Sequence, residues 1–207
     1  MSFCSTAVIR VFYFLLLLLS VNCLSSEYKL PDMRIVTENL APYNYIDTQR
    51  KQAGISIEIV LKLIEKLEIN TKIEMLPWAR AYRIATSEPD VLIFSILRTR
   101  EREEKFHWLA PILPVELNLY ALPGAPKLKT LNDINRQSIG ILRGSSQVNF
   151  LLSHENIDNS LILLGVTYEH LYKMLMSKRI HYLMAPAQMV RYQNKKWATT
   201  NATKPVE

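Results

Sequence analysis

Cysteine and glycine are scarce in this chain of 207 residues. The 2 Cys, Cys4 and Cys23, both lie within the first 25 residues, so the remainder has no disulfide framework and no thiolate metal site. Only 5 Gly occur, and the sequence contains no Walker loop, no Gly-x-Gly-x-x-Gly motif and no Gly-x-Ser-x-Gly elbow. These absences exclude the usual nucleotide-binding and serine-hydrolase signatures, and we expect no cofactor.

Paired histidines and long basic runs are also absent. The four histidines stand apart, with no HxH or HxxxH pair, so they predict no metal centre: His107, His154, His170 and His181. The formal charge is +6, yet no basic run is longer than two residues, as at Lys195-Lys196. A nucleic-acid-binding surface normally needs a basic stripe. We therefore predict no nucleic acid partner.

An apolar run near the N-terminus is typical of an export signal. Arg10 is followed by the uninterrupted apolar stretch 11–19 and then by small polar residues such as Ser20 and Ser25. A membrane-spanning helix needs about 20 apolar residues, which is more than this run provides. We predict a cleavable signal peptide at residues 1–25, with lipidation of Cys23 as the less favoured alternative.

The rest of the chain alternates β-rich runs with helical periods, which favours an α/β fold built from βαβ units. At 49% hydrophobic residues it has enough apolar material for a core. Ile55, Ile59, Leu63 and Leu67 stand four apart and predict one apolar helix face. The unbroken apolar run 91–95 predicts a buried strand. Strands are predicted at 34–37, 72–76, 91–95, 115–122, 138–142, 161–164 and 181–185, and helices at 55–67, 78–87, 147–153 and 168–177.

Four motifs give this pattern a family resemblance. They are Thr37-Glu-Asn-Leu-Ala-Pro-Tyr43, Gly54-Ile-Ser-Ile-Glu-Ile-Val60, Thr99-Arg-Glu-Arg102 with Phe106-His-Trp-Leu-Ala-Pro111, and Ile139-Gly-Ile-Leu-Arg-Gly-Ser-Ser-Gln147. In order and spacing the chain resembles the bacterial extracellular solute-binding proteins of family 3, which are type II periplasmic binding proteins. The resemblance implies two lobes, each a mostly parallel sheet flanked by helices, joined by a hinge and closing on a ligand.

The resemblance also implies a division of the chain. After the signal peptide we expect a first lobe at 26–118, a second lobe at 119–188, and a return to the first lobe at 189–207. Four prolines around the extended stretch 115–122 predict the crossover between the lobes: Pro111, Pro114, Pro123 and Pro126. Family members continue beyond this return, so we expect the sequence to be truncated at its C-terminal end.

Arg102 stands where the family's carboxylate-binding arginine stands, in a T-x-x-R motif. Its guanidinium offers a fork of donors that matches a carboxylate. In the family's amino-acid receptors an acidic residue of the second lobe holds the ammonium group, and Pro186 stands at that position here. Glu38 of the first lobe is the candidate substitute, although it also reads as a strand-end carboxylate near Arg34. The other candidate ligand-binding residues are Thr99, Ser95, Tyr43, Ser146, Gly144, Trp78 and Arg80.

Simpler structural roles remain open for several of these residues. The turn at Gly144 leads into a helix, whose N-terminus favours an anion, and a serine there is also an ordinary helix cap. Aromatic residues such as Tyr43 and Trp78 are more often core than pocket. Arg80 either reaches the cleft or covers a helix face.

We expect an exported, periplasmic, monomeric protein that binds a small carboxylated solute, an amino acid or a related organic acid, for a membrane permease of the ABC type. The alternative is a ligand sensor that reports to a membrane receptor. An enzyme resembling the periplasmic dehydratases of this fold is less favoured, because it needs an essential cleft carboxylate and only Glu38 qualifies.

Overall fold

A computed structural model describes residues 32–126, 128, 130–134, 136–154 and 157–197, and the backbone of residues 204–205. The predicted signal peptide and the Cys23 alternative lie outside the described residues. In the part of the chain that is described, no helix is both long and apolar enough to cross a bilayer.

Strands and helices alternate along the chain, so the predicted α/β class is confirmed. The strands are β1 Arg34–Thr37, β2 Tyr45–Ile46, β3 Gln52–Ala53, β4 Ile73–Met75, β5 Val91–Ile93, β6 Leu117–Ala121, β7 Ile139–Leu142, β8 Ile162–Gly165, β9 Tyr182–Pro186 and β10 Lys204–Pro205. The α-helices are α1 Ile55–Lys66, α2 Trp78–Ser87, α3 Ser146–Leu152, α4 Tyr168–Met176 and α5 Ala187–Lys196. Short 3-10 helices occupy Arg100–Lys105, Leu131–Asp133 and Asn159–Leu161.

The first lobe is built on a three-stranded parallel sheet in the order β4-β1-β5. Successive residues of a strand point to opposite faces, and β1 follows this rule. Ile35 packs with Ile57 and Val60 of α1, whereas Val36 packs with Ala81 of α2. The two helices therefore cover opposite faces of the sheet.

Helix α1 turns a different face inward from the one its sequence suggests. The buried residues are Ser56, Ile57 and Val60. The residues that stand four apart are exposed instead: Ile55 47%, Ile59 41%, Leu63 36% and Leu67 43%. The helix is apolar over more than half of its circumference, so spacing alone did not decide which stripe meets the sheet.

Strand β5 is only half-buried, in contrast to the fully buried strand predicted from the run 91–95. Among the described residues it pairs with β1 alone and lies at the edge of the first sheet. Phe94, which follows it, is buried against α1. Leu92 packs toward α1, and Val91 and Ile93 pack toward α2, so both faces of the strand are partly covered and its exposure comes from the open edge.

The second lobe contains a five-stranded sheet in the order β10-β6-β9-β7-β8. Strands β7, β8 and β9 run parallel, while β6 and β10 pair antiparallel at the other side. Helix α4 packs on this sheet through Leu171, which is fully buried. A Cβ atom at Gly165 would overlap Leu171, and one at Gly140 would overlap Ile180, so both glycines allow the close packing.

The division of the chain into lobes stays a prediction, and contacts at two places lie close to its boundaries. Strand β6 already belongs to the second sheet at Leu117, two residues before the expected boundary. The stretch 189–207 was expected to return to the first lobe. In the part of it that is described, α5 packs on α4 and β9, and β10 pairs with β6. Helix α5 also contacts the first lobe, because Met189 and Val190 share an apolar cluster with Tyr43 and the ring centroid of Tyr192 lies 5.6 Å from that of Tyr45.

Gly54 lies between β3 and α1, at the point where the loop after β1 packs against the start of the helix. Its φ is +113°, a conformation that side chains disfavour. A Cβ atom there would overlap the carbonyl groups of Pro42 and Tyr43. The N–H of Ser56 donates a hydrogen bond of 2.9 Å to the Tyr43 carbonyl. Glycine at this position therefore lets the loop lie directly on the helix start.

The burial pattern of α1 predicts unequal effects for two identical substitutions. Ile57 is 1% exposed, so Ile57→Ala leaves a cavity in the core. This variant should lower the free energy of unfolding by about 2 to 5 kcal/mol. Ile59→Ala, at a side chain 41% exposed, should cost less than about 1 kcal/mol. Urea denaturation of both variants measures the difference, and equal losses would contradict this orientation of the helix.

Candidate functional site

Parallel strands bring chemically active residues to one edge of each sheet. In the first lobe β1 and β5 run side by side, so Glu38 and Ser95 follow neighbouring strand ends, and Trp78 follows β4. In the second lobe Gly144 follows β7 and Tyr168 follows β8. The carboxyl edges of parallel sheets are where α/β proteins place their ligands. Here the two edges face each other and enclose a cleft.

The lobes meet directly across this cleft. The indole Nε1–H of Trp78 donates a hydrogen bond of 2.9 Å to the carbonyl oxygen of Gly144. Tyr43 and Trp78 of the first lobe share one apolar cluster with Tyr168 of the second. The arrangement is a closed two-lobed cleft.

Arg102 is buried inside the cleft, with a residue exposure of 5%. Its guanidinium carbon lies 5.2 Å from the ring centroid of Trp78 and 4.8 Å from that of Tyr82. Nη1 donates to the Leu97 carbonyl at 3.1 Å, and the backbone N–H donates to Thr99 at 3.0 Å. Burial lowers the pKa of Arg102, and Tyr82 opposes this effect. An arginine stays protonated in spite of such a shift.

Glu38 is the acidic group of the cleft, and it is buried to 6% exposure. Burial raises its pKa to about 8, and the positive charge of Arg102 acts in the opposite direction. The ion pairs formed by the described residues include neither Glu38 nor Arg102. At neutral pH Glu38 is therefore mostly protonated, and the cleft carries the positive charge of Arg102.

Tyr168 brings the second lobe into this charged environment. Its pKa is raised by burial and by the carboxylate of Glu38, while Gln147 and Arg102 act to lower it. A phenol with a raised pKa remains a neutral hydrogen-bonding group at physiological pH. Glu38, Arg102 and Tyr168 therefore form one interacting set that spans the two lobes.

Several polar atoms near the cleft have no protein partner. Among the described residues, the hydroxyls of Ser95 and Ser145 and the Oε1 atom of Gln147 are buried without a hydrogen bond. Ser95 also adopts a φ of +57°. Buried polar atoms normally have partners. These three are therefore available to the polar groups of a ligand.

The nine residues selected from the sequence fall into distinct positions. Glu38, Trp78, Arg102, Tyr43 and Gly144 are brought together, as described above. Thr99 precedes the 3-10 helix and holds Arg102 by its carbonyl, and Ser95 lies at the strand end beside Glu38. Ser146 begins α3 and is half-buried, whereas its neighbour Ser145 is the buried serine. Arg80 is exposed on α2, where its charge acts on Glu74 instead of on the cleft.

Sequence reasoning missed three residues of the cleft. Tyr82 stands four residues after Trp78 on α2, so helical spacing was the signal that places both rings on one side. Tyr168 opens the helix after β8, a position equivalent to Trp78 after β4. Gln147 lay within a quoted motif but was not selected.

A pocket of about 90 Å³ opens beside Tyr168 at the edge of the cleft. It is lined by the loop after β1, the start of α4 and one side of α5, including Asn39, Tyr45, Thr167, Tyr192 and Gln193. The lining comes from both lobes and is polar and aromatic. The pocket therefore connects the region of Tyr168 to the surface.

The raised pKa of Glu38 predicts that pH affects the stability of the fold. Between pH 4.5, the ordinary value for this group, and about pH 8, the unfolded chain loses this proton while the folded chain keeps it. The free energy of unfolding should then fall with rising pH by up to about 1.4 kcal/mol per pH unit on this account. Glu38→Gln removes the ionisation and should be the more stable form at the upper end of this range.

Chemical denaturation of wild type and Glu38→Gln at several pH values tests this expectation. Glu58→Gln, which neutralises an exposed glutamate on α1, is the control. A difference between wild type and Glu38→Gln that stays constant from pH 4.5 to 8 would show that Glu38 ionises normally.

Comparison with known proteins agrees with this geometry. The family model for bacterial extracellular solute-binding proteins, family 3, matches residues 33–201. The search of curated proteins finds no relative. The solved structures described next are similar in fold and distant in sequence.

One such structure is a histidine kinase sensor domain with similarity to periplasmic binding proteins, with a TM-score of 0.74, 18% identity, and coverage of 84% of this chain and 76% of that one. An ancestral arginine-binding protein bound to arginine has a TM-score of 0.72 and 15% identity, with 86% and 80% covered.

An ABC uptake transporter substrate-binding protein from Streptococcus pneumoniae with bound histidine has a TM-score of 0.70 and 17% identity, with 84% and 75% covered. These likenesses establish the type II periplasmic-binding-protein fold, and the family match extends over most of the sequence. The chain belongs to the bacterial extracellular solute-binding proteins of family 3.

Proposed function

We propose that the protein captures a small carboxylated solute between its lobes, with Arg102 holding the carboxylate. The observation that carries this proposal is the set of contacts around the Arg102 side chain. The aromatic rings of Trp78 and Tyr82 lie against the guanidinium, and the carbonyl of Leu97 accepts one hydrogen bond. No ion pair of the described residues includes this arginine. A ligand carboxylate that accepts hydrogen bonds from the remaining N–H groups of the guanidinium would complete its set of partners.

The charge balance of the cleft supports an anionic ligand. The raised pKa of Glu38 leaves it mostly neutral at pH 7, whereas Arg102 keeps its charge. A buried cation attracts an anion strongly, because the surroundings screen charge less than water does. The free hydroxyls of Ser95 and Ser145 provide further contacts for the oxygen atoms of such a ligand.

Whether the ligand is an amino acid depends on which groups of the cleft could hold an ammonium group. Pro186 ends β9 and is buried, so the second lobe offers no carboxylate at that strand end. Glu38 is the acidic side chain of the cleft, and an ammonium group beside it would lower its pKa. Arginine and histidine occupy two of the similar structures, which supports an amino acid. We propose an amino acid or a related organic acid, with Glu38 as the partner of any amino group.

We propose that the protein is exported to the periplasm and acts there as a monomer. The closed complex would deliver its ligand to an ABC-type permease in the membrane. Binding without chemistry is the proposed mode, since the described residues of the cleft offer hydrogen-bond donors and a charge that complement a ligand. The similarity to a histidine kinase sensor domain supports a second candidate, in which the closed form signals to a membrane receptor. A permease gene beside this gene would favour transport, and a kinase gene would favour sensing.

Removal of Arg102 should abolish recognition of the carboxylate. Thermal unfolding of the protein is measured against the standard L-amino acids and a set of mono- and dicarboxylic acids. A ligand at 100 times its Kd stabilises the fold by about 2.7 kcal/mol. Arg102→Ala should lose about 2 to 5 kcal/mol of binding free energy for whichever acid stabilises the wild type.

Arg100→Ala is the matched control, because it removes an exposed guanidinium from the same 3-10 helix. It should bind like wild type in calorimetric titrations. Wild-type affinity in Arg102→Ala would remove this arginine from the site and overturn the proposal.

A further inference from the structure

Trp78 contacts both the charged centre of the cleft and the opposite lobe. Its ring lies against the guanidinium of Arg102, at 5.2 Å from the centroid to the guanidinium carbon. Its Nε1–H donates to Gly144 at 2.9 Å. The side chain is 4% exposed and has only two rotatable bonds, so it has little freedom to satisfy one contact without the other.

Helix α2 fixes the position of this indole. Trp78 is its first residue, after Pro77, and Tyr82 stands one turn later with its ring centroid 5.7 Å away. Side chains four residues apart share a helix face. Both rings therefore reach Arg102 from the same direction, and a rotation of Trp78 would disturb Tyr82 and the guanidinium together.

The turn after β7 approaches the same helix start very closely. Gly144 has a φ of +73°, and a Cβ atom at this position would lie 3.3 Å from Cβ of Ala79. The contact between the lobes here thus consists of the Trp78 hydrogen bond and a backbone approach that leaves little room for a side chain.

We propose that Trp78 is a positioning residue that couples the orientation of Arg102 to the contact between the lobes. The inference rests on the proposed function, since it explains how a ligand held by Arg102 would stabilise the closed cleft. Coupling between two contacts is reciprocal. Loss of the Arg102 side chain should therefore weaken the Trp78–Gly144 contact even when no ligand is bound.

Trp78→Phe separates the two roles, because phenylalanine retains an aromatic face but lacks the N–H donor. In small-angle X-ray scattering of the ligand-free protein, this variant should show a larger radius of gyration than wild type. Arg102→Met should show the same direction of change. The probe ligands are L-arginine, L-histidine and pyruvate. For whichever of them stabilises wild type, the affinity of Trp78→Phe should be two- to tenfold lower, which is the effect of about one hydrogen bond.

Trp108→Phe is the matched control. Trp108 also lies beside an arginine, Arg98, and donates to a carbonyl, that of Glu103, but it is outside the contact between the lobes. This variant should scatter and bind like wild type. Expansion of Trp108→Phe equal to that of Trp78→Phe would indicate general loosening and would overturn the proposal.

Gly144→Ala tests the contact from the second lobe. The added methyl group should push against Ala79 and expand the ligand-free protein, which keeps the test valid if Trp78→Phe folds poorly. Unchanged scattering in both Trp78→Phe and Gly144→Ala would overturn the coupling. If no acid stabilises wild type while Trp78→Phe and Arg102→Met still expand, the proposed function fails and the coupling stands.

Discussion

A buried guanidinium that forms no ion pair with the described residues constrains the whole cleft. Arginine cannot lose its charge by deprotonation, and transfer of a charge from water to the protein interior costs several kcal/mol. The fold offsets this cost with aromatic rings from α2 and with the carbonyl of Leu97, which accepts a hydrogen bond from the guanidinium. Each of these groups comes from a different strand end. The strand ends of the first lobe therefore act together to hold Arg102 in place.

The second lobe completes this environment with neutral groups. Tyr168 interacts with the cation, Gln147 with Tyr168 and Gly144 with Trp78, and none of them brings a negative charge at neutral pH. Two fully ionised opposite charges would pair with each other and compete with a ligand. A protonated Glu38 avoids this competition, since it remains able to donate a hydrogen bond. The cleft is thus arranged for a charge that arrives from outside.

Much of this arrangement follows from local sequence patterns. Alternating β-rich runs and helical periods located β1, α2 and β7 to within a residue or two, and the T-x-x-R motif located Arg102. Parallel strands then place the residues that follow them at a common edge, so Glu38 and Gly144 were accessible to sequence reasoning. The strand and helix positions depend on periodicity and chain direction, which a sequence records directly, whereas Arg102 was selected because of the family resemblance.

The failures share a different physical origin, because they depend on rotation and packing between distant segments. Helix α1 is apolar on adjacent stripes, and only contact with β1 and β4 decides that Ile57 and not Ile59 is buried. Ser145, the residue that precedes α3, is buried, and the selected Ser146 is half-buried, a difference that no local pattern contains. Tyr168 joins the cleft only when two lobes meet, and no local pattern contains that information.

The glycine at position 54 has a consequence for motion. Any larger residue would separate the loop after β1 from the start of α1, and the Ser56–Tyr43 hydrogen bond ties these segments together. The loop carries Tyr43, and through Asn44, whose amide bonds to the Glu38 carbonyl, it is tied to the end of β1. If the lobes open and close as in the proposed function, this loop should move as one body with the first lobe and keep the shape of its wall.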